Sequence, residues 1–339
     1  MKLRDGITLI FLLACACVLI ILSPGAKAGA KEGLALAQNT ILPSLLPLLM
    51  IFMIIMKSKA GAVLTNLFGG IIYKTLKLPA AALPAVLFGL IGGYPTGAML
   101  TQSLYRDGDI SRSQAQRIMK FNVCGGAGFI ITAVGTVTLS SQKAGLILFA
   151  SNVLSSIIIA VGTSFGQKRD GQLASGTAVP LPIGDAMCLS ASEGMKSMLN
   201  LTAFIVLFSA FDGAISVPKL LEPIFEITNG ICTGDTYTLP ETSAFLAFGG
   251  FCIHLQLLSS IKEFGMSYIS FLVWRIVGAF LSYWICKGIL LIFPQPKAVF
   301  SNVSETLAQP SIANAALSVL LILGCGVLVM DLHSRRRKV

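Results

Sequence analysis

The chain has 339 residues, 55% of them hydrophobic and 12% charged, with a mean hydropathy of +0.82. Soluble domains carry about 25% charged residues, so the composition excludes an ordinary soluble protein and points to a polytopic membrane protein. The net charge of +10 does not call for a nucleic-acid partner, because Lys and Arg gather in short loops and in Arg335-Arg336-Arg337-Lys338, the distribution that orients membrane proteins.

Residues 7–22 form an apolar run after Met1-Lys2-Leu3-Arg4. Ala26-Lys27-Ala28 resembles a signal-peptidase site, and an uncleaved first membrane helix fits the same residues equally well. Residues 30–40 read as a short segment at the membrane interface. An apolar run to Met56 follows Pro43 and Pro47, prolines that suit a helix start or a bend. Residues 61–76 mix apolar side chains with Lys74 and read as an interfacial helix.

The stretch that organises the chain comes next. Residues 78–100 are apolar and long enough to reach across a membrane, yet they hold Gly92-Gly93-Tyr94-Pro95-Thr96-Gly97 at their centre. Glycine without a Cβ and proline without an N–H unwind or turn the backbone there. Unwound backbone at membrane depth is tolerated where it is buried in protein or lines a polar cavity, and secondary transporters bind substrate at such breaks. Close packing of a kinked helix would use the same residues. A polar stretch, 105–120, leads to a helix capped by Asp109 or Ser111, and that helix is interrupted at Asn122-Val123-Cys124-Gly125-Gly126-Ala127-Gly128. Residues 144–165 read as a plain span, and residues 166–184 form the one long loop.

The second half repeats this order of parts. Residues 199–211 read as a span and 217–231 as an interfacial segment, and the apolar stretch 242–258 holds Gly249-Gly250, His254 and Gln256. A long apolar run, 266–293, carries Arg275, and 312–330 is the last span. Residues 57–77 contain four Lys and no acid, whereas 214–241 set Lys219 against Glu222, Glu226, Asp235 and Glu241. If Lys-rich loops lie inside, the two repeats run in opposite senses. Whether 242–258 crosses the membrane or folds back stays open at this point. The expected fold is an all-α polytopic membrane protein of about seven to eight crossings, with two inverted repeats, re-entrant or broken helices and interfacial helices. Its parts are an N-terminal membrane helix and interfacial segment (1–40), repeat 1 (41–165), a loop and linker (166–196), repeat 2 (197–331) and a basic tail (332–339).

Single residues carry two readings each. Arg275 lies about ten residues into an apolar run, where a charge marks a pathway or a partner, or snorkels to the interface beside Trp274. His254 and Gln256, two apart, point to different sides of a helix unless the backbone breaks nearby. Asn122 can bind substrate or satisfy freed backbone groups. Most of the eight cysteines lie within apolar runs, no CxxC occurs, and His254 and His333 are far apart, so no metal site, disulfide framework or cofactor is expected. There is no Walker A sequence, no G-x-S-x-G and no paired-histidine signature, so no catalytic residue and no enzyme activity is expected.

Leu42-Pro43-Ser44-Leu45-Leu46-Pro47, Gly92-Gly93-Tyr94-Pro95-Thr96-Gly97-Ala98, Phe121-Asn122 and Gly249-Gly250-Phe251-Cys252-Ile253-His254-Leu255-Gln256 together resemble the YlbJ sporulation integral membrane proteins. These fall in the nucleoside-recognition, or gate-domain, group, which is similar to concentrative nucleoside transporters. Where the family follows its Asn with Ser or Pro, this chain has Gly125-Gly126-Ala127-Gly128. The resemblance implies a carrier of a small anion, dipicolinate, in the membrane around the developing spore. Together with the features around the breaks, it points to a substrate site made of Gly92, Gly93, Tyr94, Pro95, Thr96, Gly97, Asn122, Gly249, Gly250, His254, Gln256 and Arg275. A half-helix beginning after Gly93 would offer Thr96 and the Gly97 amide as donors, Asn122 and Gln256 would add neutral hydrogen bonds, Tyr94 a flat ring face, and Arg275 full charge if it faces the cavity. A nucleoside or other small metabolite, or a non-transporting assembly role, are the alternatives. The expected partners are a small anionic solute and the lipid bilayer, without nucleic acid, and a homo-oligomer is left open.

Overall fold

The computed structural model describes residues 3–167, 180–218, 221–232 and 237–293. The span expected at 312–330, the basic tail and most of the expected 166–184 loop lie outside them. The described residues are mostly helical and form no strand; a lone bridge joins Ser58 to Leu181. Among the described residues, five helical stretches are long and apolar enough to cross a membrane: Ser23–Lys57, Gln142–Gly162, Ile183–Ile215, Leu239–Glu263 and Tyr268–Ile292. A pair bent by 106°, Lys59–Thr75 with Ala80–Gly92, adds a sixth if it is one span.

The elements run α1 (Leu3–Ile21), α2 (Ser23–Leu36), a π-helical stretch (Ala37–Ile41), α3 (Leu42–Lys57) and α4 (Lys59–Thr75). Residues 30–40 are therefore not a separate interfacial segment, because α2, the π stretch and α3 form one continuous rod. Pro43 cannot donate an N–H, and the widened turn just before it absorbs that loss, with Ser44 Oγ bonding Thr40 O at 2.7 Å.

α5 (Leu83–Gly92) and α6 (Thr96–Arg106) pack side by side as a hairpin. α7 (Arg112–Phe121) begins at Ser111, whose side chain accepts from Gln114 N while Gln114 Oε1 accepts from Ser111 N at 2.7 Å. The expected interruption follows it, and the chain resumes as a π-helix, Gly128–Thr138. α8 (Gln142–Gly162) is the plain span.

α9 (Ile183–Ile215) has 33 residues, far more than the 199–211 expected. At 1.5 Å per residue it is about 50 Å long and overshoots a hydrocarbon core of about 30 Å. Its first turns carry Asp185, Glu193 and Lys196, which suit a helix end outside the apolar layer. α10 (Glu222–Phe225) and α11 (Ile227–Cys232) are short. α12 (Leu239–Phe248) and α13 (Gly250–Glu263) continue through Gly249 as one stretch, and α14 (Tyr268–Ile292) follows. The two halves are therefore not strict equivalents. The Gly-Gly stretch of the first folds back as a hairpin; that of the second interrupts a helix long enough to cross.

Two kinds of contact hold the bundle together. α2 packs along α9 with Gly25, Gly29 and Gly33 against Ser209 and Gly213, one glycine per turn, so the backbones nearly touch. α8, α12 and α14 are joined by a buried polar seam. Ser243 Oγ lies 2.7 Å from Ser282 Oγ, Asn152 Nδ2 reaches Ser243 at 3.3 Å, and Ser155 Oγ donates to Gly278 O at 2.9 Å. Such bonds fasten apolar helices where lipid provides little hydrophobic drive between them.

The α2–α9 crossing gives a matched pair of outcomes. A Cβ at Gly29 would overlap the Ser209 carbonyl, whereas one at Gly70 on α4 meets nothing within 4 Å. Gly29→Ala is expected to lower stability in detergent by about 1–3 kcal/mol. Gly70→Ala should be neutral or raise it by about 0.5–1 kcal/mol. Thermal unfolding of the two purified variants checks this.

Candidate functional site

The hairpin tip is built from residues that cannot continue a helix. α5 ends where Gly93 takes φ +73°, a left-handed conformation that a side chain would strain, and the Tyr94–Pro95 peptide is cis. The freed Tyr94 N–H donates to Cys124 O at 2.8 Å, so one break feeds its unpaired group to the other. The segment 122–126 presses against the tip: a Cβ at Gly93 would overlap Gly126 N. Asn122 is fully buried and wedged between α5 and α6, where glycine at 89 and 97 makes the room. Its Nδ2 donates to Ala85 O at 2.9 Å, and its Oδ1 has no partner among the described residues. Thr96 is buried too, its side chain about 3.0 Å from where a Cβ on Gly92 would stand.

The second break meets this tip. Gly249 has φ +89° and Gly250 φ +65°. The Tyr94 ring lies 3.6 Å from the Cβ position of Gly249, and its hydroxyl 3.6 Å from that of Gly125. One side chain thus touches the hairpin tip, the 122–126 segment and the second break. The hydroxyl is buried and has no hydrogen-bond partner among the described residues.

Arg275 on α14 closes the junction and is 2% exposed. Its guanidinium donates to Val123 O and Lys120 O, lies over the Phe271 ring at 5.5 Å, and leaves Nε unpaired. Among the described residues no carboxylate lies within ion-pair distance of it. Its counter-charge is instead the carbonyl end of α7, where a cation is favoured. In this conformation Arg275 is a clamp on the second interruption and does not face an open space with its charge.

His254 and Gln256 part company, as their spacing requires. His254 is buried with both ring nitrogens engaged, Nε2 by Phe248 O at 3.0 Å and Nδ1 by Tyr268 Oη at 3.1 Å. A carbonyl can only accept, so Nε2 carries the proton and Nδ1 accepts from the tyrosine. His254 therefore ties α14 to the end of α12 and has nothing left for a solute. Gln256 instead lines a cavity of about 460 Å³ between α6, α9 and α13, which Pro95 reaches from the hairpin tip. A second cavity of about 260 Å³ shares Lys57, Met99, Ser103, Asp107 and Glu193 with the first.

Sequence reasoning missed Glu226. Residues 217–231 read as an interfacial segment, yet Glu226 is 2% exposed in the extended residue between α10 and α11. Its Oε1 accepts from Thr228 N at 3.0 Å, and it lies within electrostatic range of the Tyr94 hydroxyl. Gly250 packs onto Pro223 O and Ile227 N, on either side of it. The available signal was an acid between Pro223 and Gly230 among Ile224, Phe225 and Ile227, a third break in an apolar setting. Among the described residues no cluster of His, Cys, Asp and Glu is placed to hold a metal ion.

These features define a multi-pass helical membrane protein in which a helical hairpin meets broken helices at a buried arginine. No family model matches the chain, and no solved structure matches it. It is 25% identical over 229 residues to the sporulation integral membrane protein YlbJ of Bacillus subtilis (strain 168), a match covering 60% of this chain and 55% of that protein. The chain is thus YlbJ-like, and the match spans about half the length of that relative.

The junction separates two kinds of substitution. Arg275→Gln removes the donors that satisfy Lys120 O and Val123 O, and is expected to lower stability by about 2–5 kcal/mol. Tyr94→Phe deletes a buried hydroxyl that has no partner, and should leave stability unchanged or raise it by about 1 kcal/mol. Denaturation of both variants in detergent, with wild type alongside, measures the contrast.

Proposed function

We propose that this chain is a membrane carrier or facilitator, not an enzyme, that moves a small anionic metabolite during spore formation. The observation that carries the reading is the junction itself. Two broken helical segments meet at Tyr94, with Tyr94 Oη, Asn122 Oδ1 and Arg275 Nε buried around it and unpaired among the described residues. Each unpaired buried polar atom disfavours the folded state by about 1–3 kcal/mol. Three such atoms gathered where helices break fit a surface that is meant to part and re-form around a solute. The tie to spore formation rests on the printed description of the B. subtilis relative. Dipicolinate moving toward the forespore is the solute and direction we favour, with the mother-cell-derived membrane as the location. Its planar ring and two carboxylates suit a site offering an aromatic face and backbone donors.

One observation favours a non-transporting assembly role. Glycines 89 and 97 are fully accounted for by the space Asn122 takes up. Alanine substitution there cannot separate the readings, because a Cβ at Gly97 would overlap Asn122 O and disturb the fold whatever the function. Tyr94→Phe can. In a spore-forming host lacking the gene, spore dipicolinate should fall, and wild type should restore it. Tyr94→Phe should accumulate to wild-type level yet restore dipicolinate poorly. Normal dipicolinate in the deletion strain removes this solute; full rescue by Tyr94→Phe removes the junction from the pathway.

A further inference from the structure

We propose that the cavity of about 460 Å³ between α6, α9 and α13 is the vestibule where the solute's carboxylates are first bound, with Lys196 as the receiving cation and Lys57 as a second cation masked by Glu193. This rests on the carrier reading above and adds where the anion is met and by which charges. The junction at Tyr94 is packed and Arg275 is committed to two backbone carbonyls, so the fixed charge an incoming anion meets has to come from elsewhere. The cavity supplies it. Lys57, Arg106 and Lys196 line it from three different helices beside the acids Asp107 and Glu193, and Pro95 and Gln256 connect it to the two breaks. Its volume falls within the range of small-molecule sites, which is about 300–1,000 Å³.

The three cations are not equivalent. Arg106 is clamped by Glu263 through Nε at 2.7 Å and Nη2 at 2.8 Å, with Gln102 on the same carboxylate. Lys57 Nζ lies 3.1 Å from Glu193 Oε2. Lys196, exposed on the same helix as Glu193, has no carboxylate within ion-pair distance among the described residues. Ser197 and Asn200 stand beside it as neutral hydrogen-bonding groups. A carboxylate entering here meets Lys196 first and can then compete with Glu193 for Lys57.

The opening also has a side. The hairpin brings Arg106 back to the level of Lys57, and Arg117 Nη2 donates to Lys77 O at 2.8 Å, so the Lys-rich 57–77 and the basic 105–120 share one face. Basic loops mark the cytoplasmic face, so the vestibule opens there.

The test is uptake of dipicolinate into proteoliposomes at low ionic strength. Lys196→Gln is expected to raise KM about three- to tenfold with little change in the maximal rate, and Lys196→Arg to restore it. Glu193→Gln, which unmasks Lys57, should lower KM. Both shifts should shrink in high salt, as interactions of exposed charges do. Opposite signs from opposite charge changes are the signature, since damage to the fold would impair both variants alike. Wild-type uptake with KM unmoved in Lys196→Gln and Glu193→Gln overturns the vestibule and leaves the carrier reading standing. Uptake of a neutral nucleoside that outcompetes dipicolinate, indifferent to both charges, overturns the anion assignment. No uptake of either solute by wild type overturns the carrier reading and the vestibule with it.

Discussion

The breaks at the hairpin tip and after α7 release backbone donors and acceptors in a buried setting, and the two breaks satisfy one another. Tyr94 N–H goes to Cys124 O, the Asn122 amide to Ala85 O, and the Arg275 guanidinium to Lys120 O and Val123 O. In an apolar medium each such group left alone is expensive, so the hairpin tip and the interrupted helix after α7 can exist only together. The same reciprocity explains why Arg275 is buried with no acid beside it among the described residues. An arginine has donors in a planar fork, and two carbonyls at a helix terminus present acceptors together with the negative end of the dipole. The charge is therefore held by the fold's own backbone, and a lysine there would offer no such fork.

Much of this junction is legible in the sequence. Gly92-Gly93 with Pro95, the glycines after Asn122, and Gly249-Gly250 each predict a break from local chemistry, and each break is where expected. Ser111 and Thr238 cap the helices that follow them, as Ser and Thr three residues ahead of Gln or Glu do. These are short-range signals, fixed by residue type within one turn.

What stays hidden depends on partners distant in the chain. Gly25, Gly29 and Gly33 recur every four residues, the spacing of a helix-packing face, but Ala26-Lys27-Ala28 invites a processing-site reading and only α9 reveals the face. The length of α9 is obscured because Asp185, Glu193 and Lys196 break the apolar pattern without breaking the helix. Arg275 gives no hint of its partners, which are carbonyls and carry no residue identity. Glu226 looks like one charge of an amphipathic segment until Gly250 is seen packed on both sides of it. Whether the second Gly-Gly stretch folds back or runs on is decided by packing, since α12 is held along α14 and α8 by Ser243 and Asn152.

The contacts at the two ends of the hairpin differ in kind, and that fixes which end decides its position. At the polar end α6 is joined to α13 by Arg106 and Gln102 on Glu263, with the arginine side chain 63% exposed. Exposed ion pairs contribute about 0–1 kcal/mol and weaken with salt. At the tip, Tyr94 is buried against Gly249 and the 122–126 segment, where burying an aromatic ring is worth about 1.5–3 kcal/mol and the strain of unpaired polar atoms opposes it. The larger opposing quantities both sit at the tip. Packing at the tip therefore outweighs the exposed ion pair at the polar end in fixing where the hairpin sits.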